Sequence, residues 1–376
     1  MYSFPYIILY ITLLFLFFCE IGYIRLIKTS KAILIANGLI VFFIGLRGFV
    51  MTDFVYYYSF YNNLPNIFNL KLYDFQYEPG FILYSSLIKT FSSDYHIWVL
   101  INTIIDFILF KITIKHNSKS KILPYIVFLG ISGLVLEFNL YRNAKAIFLF
   151  MYSIEYIKRR QLLNYVLINI LAASFHVSAL LFLPLYFILN LKSTNVIRWG
   201  IFVIVNVIVL FGGDFVKNII SRIFVIDQNF AGVSKFTEYI SINESYGLSI
   251  GALERMLSFA IITCFYDHMI KENKCFLLYY NCYLIYYVVF SLFSFNSILV
   301  NRIPLLFVGA VYIVYSNVMT LKNKYSKQIM GYFLIILLFK LITTTNSIVC
   351  EYDNIIFGIK TYTQRCVTLY QNFDWY

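Results

Sequence analysis

Nine ionisable side chains sit where an apolar segment of this chain begins or ends: Arg47, Asp53, Glu78, Arg142, Lys145, His176, Glu254, Arg255 and Arg302. Their types make a usable chemical set. A guanidinium stays ionised and grips an oxyanion through a planar fork. A carboxylate or an imidazole can take a proton from a hydroxyl or orient it. Each residue also has a plainer reading. An arginine near a helix end can snorkel to lipid headgroups, and His176 can be a hydrogen-bonded packing histidine. Asp53 can cap the helical pattern that starts at Phe54, and Glu78 can cap one opening with Pro79, a residue favoured at the first helical position. Asp106 and Glu155 point toward the opposite ends of their segments and read as structural.

These residues need elements that hold them at one depth. The chain has 376 residues, of which 61% are apolar and 13% charged. A soluble domain is nearer 45–50% apolar and 25% charged, so one soluble core of this size would lack polar cover. The apolar residues fall in runs of about 17–25, long enough to cross about 30 Å of hydrocarbon. The fold class is therefore all-α, a polytopic integral membrane protein. The short alternating segments of a β-barrel are missing from the sequence. "MYSFPYIILYITLLFLFFCE" reads as a span rather than a cleavable signal, because it lacks a basic start and a small-residue cleavage site.

Six short connections are basic: Arg25–Lys31, Lys111–Lys121, Lys158–Arg160, Lys192–Arg198, Lys271–Lys274 and Lys322–Lys327. The positive-inside rule places all six in the cytoplasm. Spans then follow at 4–24, 32–50, 96–115, 122–138, 144–158, 198–213, 253–270, 276–297, 302–320 and 329–346. The run 162–191 forms a hairpin turning near "SFHVSA", Ser174–Ala179. The total is about twelve transmembrane helices in a single domain spanning residues 1–376, with both termini outside. Glu78–Phe91 is too short to span and carries Lys89, so it is expected to be a re-entrant or interfacial helix on the outer side. The outer segments are about 46–95, 212–252 and 346–376. The net charge of +12 gathers on the inner face, so it reports orientation and not nucleic-acid binding.

On this map the nine residues share the outer face. Arginines there run against the positive-inside trend, and a charge at the membrane is usually functional or paired. Tyr56, Tyr57, Tyr58 and Tyr61 fit an interfacial belt or a stacking platform for sugar rings. No His, Cys and Asp cluster has metal-ligand spacing, and no nucleotide-binding glycine signature occurs, so neither a metal nor a cofactor is expected. Cys350 and Cys366 lie in the outer tail, where an oxidising compartment would let them form a disulfide.

"GLRGFVMTDFVYYYSFYN", residues 45–62, resembles the motif F-R-x-x-x-G-T-D-x-x-x-Y-Y of the EpsG/Wzy-like membrane polysaccharide polymerases. "YEPGFILYSSLIKTFSSDYHIW", residues 77–98, is similar to their Glu-Pro-x-[FY] segment. "LYRNAKAIF", from Leu140, and "SFHVSAL", from Ser174, resemble their I-R-Q-x-[IL]-A helix and S-L-x-H-x-[ST]-A-[LI] hairpin. Met51 stands where the motif has glycine, Asn143 where it has glutamine, and Lys145 where it has a small or apolar residue.

The resemblance implies a glycosyltransferase of GT-C-like membrane architecture in the bacterial inner (cytoplasmic) membrane. It would polymerise O-antigen, capsule or exopolysaccharide units carried on undecaprenyl pyrophosphate, on the periplasmic face. The growing glycan would pass to a new unit and release undecaprenyl pyrophosphate. Asp53, Glu78 and His176 are then the catalytic candidates. Arg47, Arg142, Arg255, Arg302, Lys145 and Tyr57 are the candidates for pyrophosphate and substrate. The partners implied are the lipid-linked oligosaccharides, the bilayer and a chain-length regulator. Two rival readings use the same charges: a flippase for lipid-linked oligosaccharides, and an O-antigen ligase. A non-catalytic membrane scaffold is a third.

Overall fold

A computed structural model describes residues 2–71, 76–211, 213–224 and 249–372. Most of the outer segment expected over 212–252 lies outside the described residues. Every regular element described is helical; the ladder pairings are isolated bridges, Arg47 with Asn354 and Asn354 with Gly358. Among the described residues, three helices are long and apolar enough to cross a membrane: Tyr95–Asn117, the run Ser297–Met319, and Ser326–Thr345. Six shorter apolar helices accompany them: Phe4–Glu20, Thr29–Gly45, Leu162–Phe175, Val177–Ile188, Asn195–Phe211 and Phe276–Leu292.

The chain divides into two compact units. The first comprises residues 1–186 and 315–376. Its elements are α1 (Phe4–Glu20), α2 (Thr29–Gly45), α3 (Phe54–Asn63), α4 (Pro79–Phe91), α5 (Tyr95–Asn117), α6 (Leu123–Gly130), α7 (Gly133–Asn139), α8 (Tyr141–Lys158) and α9 (Leu162–Phe175). The last two helices of this unit, Ser326–Thr345 and Tyr362–Asn372, are numbered below with the rest. The span expected over 122–138 is broken between α6 and α7, where Ser132 takes a left-handed φ of 55°. The expected hairpin does turn at its predicted place. Helix α9 ends at Phe175, His176 is extended, and a 3-10 stretch, Val177–Phe182, folds back. The Tyr165 hydroxyl donates to Phe182 O at 2.5 Å and ties the two arms.

Helix α4 has 13 residues, about 20 Å at 1.5 Å per residue, too short for a full crossing. Its Lys89 donates to Tyr61 O at 2.9 Å, one of the carbonyls that end α3. That partner explains how a lysine is held in an otherwise apolar segment. Helices α3, α4 and α5 close on an aromatic core of Phe49, Tyr57, Tyr61, Phe81, Trp98 and Tyr141. The tyrosines expected at the surface therefore divide. Tyr57 and Tyr61 are buried, while Tyr56 is exposed.

The second unit, residues 187–314, takes in the second half of α10 (Leu185–Ile188), with α11 (Asn195–Phe211), α12 (Gly213–Phe224), α13 (Ile250–Cys264), α14 (Tyr266–Glu272), α15 (Phe276–Leu292), α16 (Ser297–Arg302) and the start of α17 (Val308–Met319). Phe202 of α11 stacks on Phe259 of α13, which stacks in turn on Tyr287 of α15. Arg198 pairs with Asp267 at 3.3 Å and lies over the Tyr266 ring.

The first unit is completed by α18 (Ser326–Thr345) and α19 (Tyr362–Asn372). Both tail cysteines are free thiols, Cys350 buried and Cys366 half-buried. The disulfide that the sequence allowed is not formed. The tail is held instead by Arg365, which donates to Phe49 O at 2.8 Å, Val349 O at 3.2 Å and the Glu351 carboxylate at 2.8 Å.

Candidate active site

The site grows from the turn between α2 and α3. Residues 46–51 do not form a helix, so their backbone groups need partners, and the C-terminal segment supplies them. Gly48 N–H donates to Asp353 O, Met51 N–H to Val349 O, and Ile355 N–H to Leu46 O. Met51, which replaces the motif's glycine, has a φ of 64°. That is the left-handed region that glycine adopts without steric cost, so the position keeps the demand although the residue has changed.

Arg47 differs from its expected role. It is 1% exposed, and its fork is already filled. Nη2 donates to Glu137 O at 2.6 Å and to the Tyr141 hydroxyl at 2.5 Å, and Nη1 donates to Ile44 O. The guanidinium also lies over the Phe138 ring. An arginine with its donors satisfied inside the protein ties α2 to α7 and α8; it is not turned toward a ligand.

Asp53 stands at the head of α3 but does not cap it with its side chain. The Thr52 hydroxyl donates to Asp53 Oδ1 at 3.0 Å. The amides of Thr52 and Asp53 both donate to the side-chain oxygen of Asn139, at 3.2 and 3.3 Å. Asn139 ends α7 and so fixes the Thr-Asp pair from a neighbouring element. Sequence reasoning passed over it, because one asparagine at a helix end carries no distinguishing signal.

Glu78 likewise makes no cap. Its Oε2 accepts from Arg142 Nη1 at 2.6 Å, and its Oε1 accepts from Val177 N–H at 3.3 Å. One carboxylate thereby joins α4, α8 and the hairpin turn. Gly80 permits the approach: a Cβ there would meet Ser174 Oγ at 2.1 Å and Ser174 O at 2.8 Å. Arg142 remains 25% exposed, lies over the Tyr77 ring at 4.5 Å, and has a buried Nε without a partner among the described residues. The Tyr57 hydroxyl feels both Arg142 and Asp53, though burial dominates and pushes its proton affinity up.

His176 sits at the hairpin turn, outside both arms. Its Nδ1 lies 2.7 Å from Ser178 Oγ and accepts from Ser178 N–H at 3.3 Å. A backbone amide only donates, so in the neutral ring the proton belongs on Nε2. Burial pushes the imidazole down to about 4, with Glu78 raising and Arg142 lowering it. The ring is then neutral at neutral pH and offers Nε2–H as a donor.

Lys145 also departs from its expected role. It is buried and paired with Asp106 at 2.6 Å, and it donates to Asn102 O at 2.9 Å. The pair lies between α5 and α8, away from solvent. Arg255 and Arg302 belong to the second unit. Arg255 donates to the Tyr286 hydroxyl at 3.2 Å and to Gly251 O at 2.9 Å, over the Phe290 ring. Arg302 ends α16 and is exposed, and Glu254 is buried and accepts from Ser258 Oγ. Beside Tyr77, a cleft of about 540 Å³ is lined by Tyr56, Phe60, Tyr77 and Tyr362.

Asp53, Glu78, Arg142, His176 and Tyr57 thus gather in the first unit, with Arg47 sealed behind them. Helices this apolar make the chain a membrane protein. More narrowly, the model of the EpsG family matches residues 30–357, and the chain belongs to that family. No curated protein and no solved structure matches the chain. The family points to a polysaccharide polymerase type of role.

Proposed function

We propose that the protein polymerises oligosaccharide repeat units carried on undecaprenyl pyrophosphate, at the periplasmic face of the bacterial inner membrane. On this reading about twelve spans form one membrane domain of GT-C-like architecture. The observation that carries the proposal is the open Arg142–Glu78 pair, with His176 and Asp53 near it and an aromatic cleft beside it.

Arg142 exchanges part of its contact with Glu78 for the donor pyrophosphate, to which its guanidinium fork offers parallel donors. His176 Nε2–H bonds the leaving group's oxygens. The acceptor hydroxyl attacks the anomeric carbon of the donor glycan, and the bond to the pyrophosphate oxygen breaks. The hydroxyl proton passes to the Asp53 carboxylate, and undecaprenyl pyrophosphate leaves as an anion. Glu78 is already committed to Arg142 and the Val177 amide, so it positions these groups and does not take the proton. The rings of Tyr56, Phe60, Tyr77 and Tyr362 stack against the sugars. On this reading a chain-length regulator acts on the same substrate.

Purified protein with radiolabelled lipid-linked units tests this. The expected result is a polymer ladder that Asp53→Asn removes at equal protein level. A ladder unchanged by Asp53→Asn overturns the assignment of the base. No ladder from any lipid-linked unit, with transfer seen only onto a lipid A core or with none at all, overturns the polymerase.

A further inference from the structure

Three of the basic loops that the sequence places on the inner face meet at one cavity within the first unit. It measures about 580 Å³ and takes Lys119 and Lys121 from the loop after α5, Lys322 from the loop before α18, Lys327 from the first turn of α18, and Thr29 from the start of α2. Below the lysines its walls are apolar: Phe17, Ile33 and Met330. The site described above uses none of these residues.

The charges do not cancel. Lys121, Lys322 and Lys327 line it with one carboxylate, Glu20. Glu20 is already occupied at the start of α6, where it accepts from Ser120 Oγ at 2.5 Å and from the amides of Lys121 and Ile122 at 2.5 and 3.3 Å. Lys121 turns back to the carbonyls that end α5. Lys322 and Lys327 are exposed at the mouth. Helices α2 and α18 both begin at the cavity, and neither has a side-chain cap at its N-terminus. The first-turn amides of α2 add positive potential of the kind that favours an oxyanion.

We propose that this cavity binds the phosphate headgroup of an anionic glycerophospholipid. The phosphate rests between Lys322 and Lys327, and the upper acyl chain follows Phe17, Ile33 and Met330. The apolar walls favour an amphiphile over a free phosphate. The uncancelled charge favours an anionic lipid over a zwitterionic one. A lysine near an anionic headgroup contributes about 1 kcal/mol, or about five-fold in affinity, so losing two should cost about thirty-fold.

Native mass spectrometry of the purified protein in detergent tests the proposal, titrating phosphatidylglycerol, phosphatidylethanolamine of the same chains, and soluble glycerol 3-phosphate. Phosphatidylglycerol should form a discrete adduct. Lys322→Ala with Lys327→Ala should weaken it about thirty-fold, and Met330→Trp should weaken it by filling the cavity with the charges intact. Lys271→Ala with Lys274→Ala removes the same charge from another exposed basic loop and should leave the adduct unchanged. Equal binding of the two lipids, equal binding of glycerol 3-phosphate, or an equal loss in the Lys271 and Lys274 variant would overturn the site.

Discussion

Helix α8 carries two cation–carboxylate pairs, three residues apart and equal in length. Arg142 meets Glu78 at 2.6 Å, and Lys145 meets Asp106 at 2.6 Å. The side chains of the first pair are 25% and 17% exposed; those of the second are 2% and 1% exposed. Distance alone would call them alike, but the surroundings separate them. The first pair is partly exposed and has an aromatic cleft beside it, so its arginine can change partner when an anion arrives. The second lies in a sealed region where no competing ligand can enter, and its strength goes into holding α5 against α8. An ion pair becomes a binding site when it can be opened, and openness depends on burial more than on residue type.

That comparison can be broken most forcefully at the sealed pair. Lys145→Ala leaves the Asp106 carboxylate buried without its cation, and breaking a buried pair costs about 3–5 kcal/mol. Thermal unfolding in detergent should show the largest loss of any substitution discussed here. Asp106→Leu with Lys145→Met should recover most of that loss and keep the polymer ladder. A double variant that folds but makes no polymer would put the sealed pair inside the active site.

Arg142→Ala should do the reverse. Its pair is partly exposed, so stability should fall by less than in Lys145→Ala. Polymer formation should fall about a hundred-fold or more, the scale for removing a donor that stabilises developing charge. Arg142→Lys should restore only part, because lysine keeps the charge and loses the fork. Full activity in Arg142→Ala at equal protein level would leave the pair as a packing contact only.

Asn139→Ala tests whether Asp53 is held from outside its own segment. Two amides lose an acceptor, at about 1–3 kcal/mol if they stay buried, and activity should drop about ten-fold or more while the lipid-linked substrate still binds. A rate within two-fold of wild type would mean that Thr52 alone orients Asp53.

The smallest effect concerns pH. Burial holds the His176 imidazole down to about 4, below its ordinary value. The neutral ring therefore dominates throughout the range above 6, and its contribution is lost only as the pH falls toward 4. Polymerisation should stay flat between pH 8 and 6. A limb centred near 6.5 that disappears in His176→Gln would show an imidazole open to solvent.

Much of the site was readable one residue at a time. Asp53, Glu78, Arg142 and His176 stood out as ionisable groups at the ends of apolar runs, and the structure brings them into one region. The resemblance marked Met51 as standing at a motif glycine, and the structure supplied the reason, a left-handed backbone at that position. The readings that changed were those about contact. Arg47 and Lys145 looked like Arg142 in sequence, with the same charge at similar helix ends. Asn139 and Arg365 did not stand out at all, since their importance lies in carbonyls and amides far along the chain.

By itself the sequence determined the membrane class, the hairpin turn near His176, and the set of charges available for chemistry. Hydrocarbon tests each segment of about twenty residues on its own composition, so that information is local and survives without a fold. Only the tertiary structure decided which charge is open and which is sealed. Lys145 finds Asp106 across 39 positions, and Arg365 finds Phe49 O across 316. Such partners are selected when helices pack, because a buried charge or amide must be matched by whatever the neighbouring helix presents, and separation along the chain carries no record of that match.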